Sequence, residues 1–420
     1  MNFLTLVLVI QYTMAKHFGY MLPDEDLDSR NFTNTIKMQF KMMTSKISKA
    51  AGEVGSIPAA YLAGTLVGFI QIGTPRQPMV VLFDTGSSLF WVRSSNCRAK
   101  ECINQATYNN AKSSTYKKLT PASLNGEQEQ TITYGDGTLV NCTVNQDSLI
   151  IGTRIIQNQN ICEAYNIETT TASTDGIIGI GPPDGSGSPA DVFKTLLNQS
   201  DSTTTMISFW YNRDPNAERN NGGEITFGGT DTAKFTGSPK FVPLIQSITH
   251  YWEVKLDSIG LADNSQANAS PFNIIIDTGT TYTLLPAATF DKLNKQMNAV
   301  KDDSLGGLYR IPCNDVSKIK PITFNFGSST LTLSGSQLVN IAFKEKICIS
   351  IFQPGTRGIP PIIGAQFLKN YYVIFDYGRK QIGFAQPSDN PVINIPDSSG
   401  FSTVTCTWMI TLVILSLSWF

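Results

Sequence analysis

The stretch Val81-Leu82-Phe83-Asp84-Thr85-Gly86-Ser87-Ser88 recurs 193 residues further on as Ile274-Ile275-Ile276-Asp277-Thr278-Gly279-Thr280-Thr281. In each copy an apolar run, the pattern of a buried strand, ends abruptly in a polar turn. A second element, two isoleucines and a glycine, follows each copy: Ile177-Ile178-Gly179, then Ile362-Ile363-Gly364. The intervals from aspartate to glycine are 95 and 87 residues. Two motifs in the same order at nearly the same spacing imply a duplicated chain with two similar lobes, each of domain size. The expected division is an N-terminal lobe at 56–235 and a C-terminal lobe at 236–387, with the junction near 229–242.

Between these landmarks the pattern is mainly β. Thr131-Ile132-Thr133-Tyr134 followed by Gly135-Asp136-Gly137 reads as a strand entering a hairpin tip. Gly223 to Gly229 and Tyr251 to Leu256 read as further strands, and short helices are expected over Ala190 to Leu197 and Ala287 to Val300. The 33 glycines and 21 prolines supply many turns. A formal net charge of -1 gives no basic field for nucleic acid, so no such partner is expected.

Paired Asp-Thr-Gly turns carry a specific chemistry. Hydrolysing a peptide bond without a metal or covalent nucleophile needs a base to activate water and an acid to protonate the products. Two carboxylates that share one proton supply both. At about 3 Å and an effective dielectric near 20, two charged carboxylates repel by roughly 5 kcal/mol, which pulls their titrations apart. The aspartic protease dyad is the standard worked case of this effect. Gly86 and Gly279 let the backbone turn tightly beside the carboxylates. Thr85 and Thr278 are placed to brace the two turns, and Ser87 and Thr280 to offer a hydroxyl to each carboxylate. Rival chemistries fare poorly. A Ser/His/Asp triad would need His17 or His250, the only two histidines, and no His-Glu-x-x-His zinc motif exists.

At this point the chain resembles the pepsin-like aspartic proteases over about Tyr61 to Pro387. The resemblance rests on Ile72-Gly73-Thr74-Pro75, Phe83 to Ser88, Phe90-Trp91-Val92, Tyr134-Gly135-Asp136-Gly137, Asp175 to Gly179, Phe227-Gly228-Gly229, Asp277 to Thr280, and Tyr372 to Ala385. It implies a bilobed β fold with Asp84 and Asp277 as catalytic pair in the cleft. It also implies Tyr134, with Gly135 and Asp136, as a flap over substrate, and Trp91 as the hydrogen-bonding support of Tyr134. By the same resemblance Leu82 and Ile275 suggest apolar side chains beside the cleaved bond. Protein or peptide substrates, a monomer and no metal or cofactor follow from it. The chain departs from the pattern in lacking a short disulfide loop before Asp277, in having Ala365 after Gly364, and in carrying Asp136 at the flap tip. A noncatalytic peptide-binding protein on the same fold is the alternative, because a fold does not guarantee activity.

Seven cysteines suggest three disulfides and one left over, Cys406 in the apolar tail. The resemblance pairs Cys97 with Cys102 and Cys313 with Cys348, which leaves Cys142 for Cys162. A zinc site at Cys97 and Cys102 would need further ligands that the chain does not offer nearby. Residues 1–15 read as a secretory signal peptide, with a buried N-terminal element as the other reading. Residues 16–55 pass from an acidic cluster to a basic, helix-friendly stretch, read either as a propeptide or as a solvated helical face. Four Asn-x-Ser/Thr patterns, at Asn31, Asn141, Asn198 and Asn268, agree with a secreted, extracellular, cell-surface or lysosomal/vacuolar protein. After a polar stalk at 388–400, the small residues around Ser398, a spacer and an apolar end over 401–420 match a GPI-anchor signal. A short transmembrane anchor is the other reading of that tail.

Overall fold

The apolar runs before the two Asp-Thr-Gly turns form matching strands in the computed structural model. It describes residues 55–388, apart from 63, 104, 153, 170–173, 183–187, 200–204, 214–221, 246–249, 264, 343–346 and 357. The signal segment, all but the last residue of the propeptide, Asn31, Ser398, Cys406 and the anchor signal lie outside these residues.

In the first half, Gln77–Asp84 pairs antiparallel with Thr65–Ile72 and parallel with Gly176–Gly179, which pairs antiparallel with Phe90–Arg93. In the second half, Phe272–Ile276 pairs antiparallel with Glu253–Leu256 and parallel with Ile362–Ile363, which pairs antiparallel with Thr283–Leu285. The sequence repeat is therefore a repeat of topology. Parallel neighbours need a long crossover, and the chain between each aspartate and its Ile-Ile-Gly element provides it. The glycines of those elements pass close to the turns. A Cβ at Gly179 would lie 2.5 Å from Leu89 N, and one at Gly364 would lie 2.7 Å from Thr280 O.

The two halves also share a sheet. Met206–Tyr211 from the first half pairs with Tyr372–Asp376 near the end of the second. Phe235–Pro243 pairs with Gln381–Pro387 in the same thirteen-stranded sheet. The expected junction thus contains a strand of that sheet. The remaining strands of the second half form sheets of five, three and four strands. The longest helices among the described residues are Val192–Gln199 and Ala287–Gln296.

One hydrophobic core runs through both halves. Phe209 meets Phe375 edge-on at 5.6 Å, Trp252 meets Phe375 at 5.1 Å, and Phe83 beneath the first turn meets Phe227 at 5.8 Å. Burying each such ring contributes about 1.5–3 kcal/mol. These rings anchor the strands that carry the two turns. The disulfides are Cys97–Cys102, Cys142–Cys162 and Cys313–Cys348. The second ties the long hairpin strand Leu139–Ile151 to its neighbour Arg154–Glu168.

A buried polar network in the first half sets a pH dependence. Asp147 is 1% and Glu163 5% exposed. Tyr108 donates its hydroxyl to Asp147 at 2.6 Å, and Asn145 and Asn110 donate to Glu163 at 2.8 and 2.7 Å. Burial pushes the Glu163 carboxyl above its ordinary value, against the pull of these donors. The folded chain therefore holds a proton that the unfolded chain has released. The resulting penalty is absent below the ordinary value of 4.5 and grows as pH rises through the folded one. Glu163→Gln removes that penalty but gives up one acceptor, since its amide nitrogen cannot accept from Asn145 or Asn110. Its effect on the melting temperature is therefore expected to be more favourable at neutral pH than at pH well below that ordinary value. Calorimetry at both pH values checks this; equal shifts at both would contradict it.

Candidate active site

Asp84 is the last residue of the strand Gln77–Asp84, and Asp277 directly follows Phe272–Ile276. Each strand runs into its turn because the apolar residues before it are committed to the core: Phe83 and Ile276 are both fully buried. The turns meet at the boundary of the two halves.

Their geometry is two-fold. Gly86 N donates to Asp84 Oδ1 at 2.8 Å, and Gly279 N donates to Asp277 Oδ1 at 2.7 Å. Ser87 donates its hydroxyl to Asp84 Oδ2, and Thr280 donates its own to Asp277 Oδ2 at 2.6 Å. Across the boundary, Thr278 N donates to Thr85 Oγ1 at 2.9 Å and Thr85 N to Thr278 Oγ1 at 3.2 Å. Each threonine hydroxyl then donates to the opposite strand: Thr85 to Ile276 O at 3.0 Å, Thr278 to Phe83 O at 2.7 Å. Both threonines are fully buried.

This crossed lattice of four bonds fixes the turns relative to one another. Thr278→Val keeps the shape but strands the Thr85 N–H and the Phe83 carbonyl, at about 1–3 kcal/mol for each buried group left unpaired. The variant is expected to lose that stability in chemical denaturation. Thr278→Ser, which keeps the hydroxyl, is expected to retain most of it.

The glycines bring the carboxylates together. A Cβ on Gly86 would lie 2.5 Å from Asp277 Oδ2, and one on Gly279 would lie 2.7 Å from Asp84 Cγ. Each turn therefore presses its glycine against the other turn's carboxylate, at a distance that only a residue without a side chain allows. Asp84 and Asp277 are 5% and 6% exposed. Burial, then the facing charge of Asp277, holds the Asp84 carboxyl well above the usual aspartate range; the Ser87 and Gly86 donors only partly offset them. A buried pair of this kind keeps one proton between its members.

A hairpin brings Tyr134 near the Asp84 charge. Glu129–Thr133 pairs with the start of Leu139–Ile151, and the loop between them closes with Tyr134 N donating to Thr138 O at 2.8 Å. Asp136 caps the tip, accepting from Thr138 N and from Thr138 Oγ1, each at 2.9 Å. Gly135 and Asp136 are exposed, and Tyr134 is half-buried. Trp91 Nε1 donates to the Tyr134 hydroxyl at 2.8 Å. Burial and the nearby Asp84 charge push that phenol above its ordinary value. Trp91 thus holds the Tyr134 hydroxyl, while Ser87 separately holds Asp84.

Two residues at this site were given no role by the sequence reasoning. Asp175, 3% exposed, accepts from Val80 N at 2.8 Å and so helps hold the strand that ends at Asp84. A Cβ on Gly135 would lie 3.4 Å from Ile359 Cδ1, so the hairpin tip reaches a loop of the opposite half. No local signal marks Ile359, because its contact partner is more than 200 residues away. Leu82 is half-buried and faces Ile177 in the parallel register, whereas Ile275 is only 3% exposed. Among the described residues no cluster of three or more His, Cys, Asp or Glu side chains could hold a metal ion.

Comparison with known proteins addresses the same region. Residues 65–387 match the family described as eukaryotic aspartyl protease. The chain is 34% identical over 346 residues to cathepsin D of Clupea harengus, covering 78% of this chain and 82% of that protein. It is 31% identical over 339 residues to gastricsin of Rattus norvegicus, covering 78% and 82%. It is 32% identical over 354 residues to the vacuolar aspartic protease of Candida albicans, covering 80% and 78%. The duplicated strand-turn topology and this breadth of similarity lead to one conclusion: the chain belongs to the eukaryotic aspartyl protease family and is an aspartic endopeptidase acting on protein or peptide substrates.

Proposed function

We propose that Asp84 and Asp277 are the catalytic pair and that they hydrolyse an extended peptide lying beneath the Tyr134 hairpin. The observation that carries this reading is the mutual approach of the two turns, each glycine lying against the opposite carboxylate. The raised Asp84 carboxyl holds the shared proton, and Asp277 acts as base. Asp277 takes a proton from water as its oxygen bonds to the scissile carbonyl carbon, while Asp84 gives its proton to the carbonyl oxygen. In the second step Asp277 gives the proton it took from water to the amide nitrogen, and Asp84 takes one back from a hydroxyl of the tetrahedral intermediate. The C–N bond breaks with its electron pair going to nitrogen, and the carboxylic acid and amine leave. Thr85 and Thr278 keep the turns in register, and Ser87 and Thr280 orient the carboxylates. Tyr134, Gly135 and Asp136 form the cover, and Trp91 holds Tyr134 in place. The half-buried Leu82 favours an apolar side chain beside the cleaved bond.

One proton shared by the pair makes the activity acidic. Rate falls on the alkaline side as the pair loses that proton and on the acid side as the pair takes up a second. Peptide hydrolysis by purified, acid-treated protein across this range, with and without pepstatin, tests the reading. A bell-shaped acid profile abolished by pepstatin is expected; hydrolysis insensitive to pepstatin would overturn it.

The routing of the chain belongs to the same proposal. Relatives named cathepsin D and vacuolar aspartic protease, together with the signal-like segment 1–15, support passage through the secretory pathway. Residues 16–55 would cover the cleft until removed, the catalytic body would act as a monomer, and the tail would be exchanged for a GPI anchor near Ser398. Release of the mature protein from membranes by a phosphatidylinositol phospholipase is the outcome this requires. Recovery of peptides from 401–420 in the mature protein would exclude the anchor.

A further inference from the structure

Three asparagines with the Asn-x-Ser/Thr pattern lie among the described residues, and the fold treats them differently. Asn268 is 4% exposed and its carboxamide is fully engaged. It accepts from Ile259 N at 2.8 Å and donates to Asp257 O at 3.1 Å and Ser270 O at 2.9 Å. Asn141 is half-buried on a sheet strand and accepts from the Thr131 hydroxyl at 2.8 Å. Asn198 is exposed on the last turn of the helix Val192–Gln199, and its carboxamide has no partner among the described residues.

N-glycosylation joins the asparagine nitrogen to the anomeric carbon of a sugar. The bond from that carbon to a lipid-linked pyrophosphate breaks, the pyrophosphate leaves with the electron pair, and the nitrogen gives up one proton. At Asn268 the lost N–H is one that the fold uses, and the bulky polar chain would have to enter a closed space. At Asn198 neither cost arises.

Beside Asn198 lies a cavity of about 350 Å³ that Asn198 itself lines. Glu127, Lys194 and the buried Asp191 line it too, and the Glu127 and Lys194 side chains have no hydrogen-bond or ion-pair partner among the described residues. Opposite charges that share a cavity without pairing leave an acceptor and a donor free for the hydroxyls of a sugar. Leu124 and Pro189 add an apolar patch against which a ring face or an acetyl methyl can pack. This volume falls in the range of small-ligand pockets, about 300–1,000 Å³.

We propose that Asn198 is the glycosylated asparagine of the catalytic body and that the first N-acetylhexosamine of its glycan lies in this cavity between Glu127 and Lys194. Asn268 stays unmodified as a structural asparagine. The proposal rests on the secretory routing given above but not on the catalytic assignment.

The test uses the full chain, made in a eukaryotic secretory host and mapped by peptide mass spectrometry. Glycan is expected at Asn198 and none at Asn268. Enzymatic release of the Asn198 glycan by a peptide N-glycosidase is then followed on native protein, for wild type and for Glu127→Ala/Lys194→Ala. Release is expected to be about tenfold faster in the variant, the yield of one to two net hydrogen bonds. The two should be equal after denaturation, and retained peptidase activity in the variant shows that its fold is intact. An unmodified Asn198, a glycan at Asn268, or equal native release rates would overturn the proposal.

Discussion

Asp84→Asn is expected to reduce kcat for peptide hydrolysis by about 10²–10⁴-fold, the span that a positioned general acid supplies, while making the protein more stable above the acid range. Asparagine keeps the shape of the carboxyl: its single oxygen can still accept from Gly86 N, while its amide nitrogen, which cannot accept, donates to Ser87 Oγ in place of the bond that the carboxylate accepted. It cannot carry the shared proton to the carbonyl oxygen. The gain in stability follows from the raised carboxyl. Because the folded chain holds a proton on Asp84 that the unfolded chain releases, the penalty is absent below 3.8 and grows as pH rises through the folded value. A neutral amide removes that penalty. Activity and melting temperature, measured on the same preparations at acid and neutral pH, should move in opposite directions. A residue with a merely structural part in the turn would lose both together. Activity within a few-fold of wild type would remove Asp84 from the mechanism.

Gly279→Ala is expected to lower kcat/KM by about 10²-fold or more, the scale of a 1 Å misplacement of a catalytic group. The added methyl would lie 2.7 Å from Asp84 Cγ and 3.2 Å from its Cβ, so the carboxyl of the other turn has to move. It has little room to do so, because Gly86 and Ser87 hold both its oxygens and Phe83 beneath it is fully buried. The displacement therefore falls on the approach of the two carboxylates, which sets their shared proton. The pH profile supplies the second readout. With the carboxylates forced apart their mutual repulsion weakens, so the two limbs of the bell should draw closer together. Gly86→Ala, whose Cβ would press on Asp277 Oδ2 at 2.5 Å, is the mirror-image control and should behave alike. A full-rate Gly279→Ala enzyme would contradict the close approach of the turns.

The duplication, the mainly β pattern and the two aspartates were legible in the chain itself. Each depends on local order: an apolar run stopped by Asp-Thr-Gly, and a hairpin signal at Tyr134 to Gly137, are visible within a window of eight residues. The hydroxyl donors Ser87 and Thr280 sit three residues from the carboxylates they contact, so their part also follows from the turn.

Contacts between distant residues were decided only by the folded chain. The pairing of Met206–Tyr211 with Tyr372–Asp376, which makes one sheet of two halves, depends on register and on a shared core, and neither segment encodes its partner. The reach of the hairpin tip to Ile359 and the hold of Asp175 on Val80 are of the same kind. So is the separation of the sequons, since burial and hydrogen bonding distinguish Asn268 from Asn198 although both show the same three-residue pattern. Sequence spacing says which groups can act; burial and long-range packing set the distances and local polarity on which proton sharing depends.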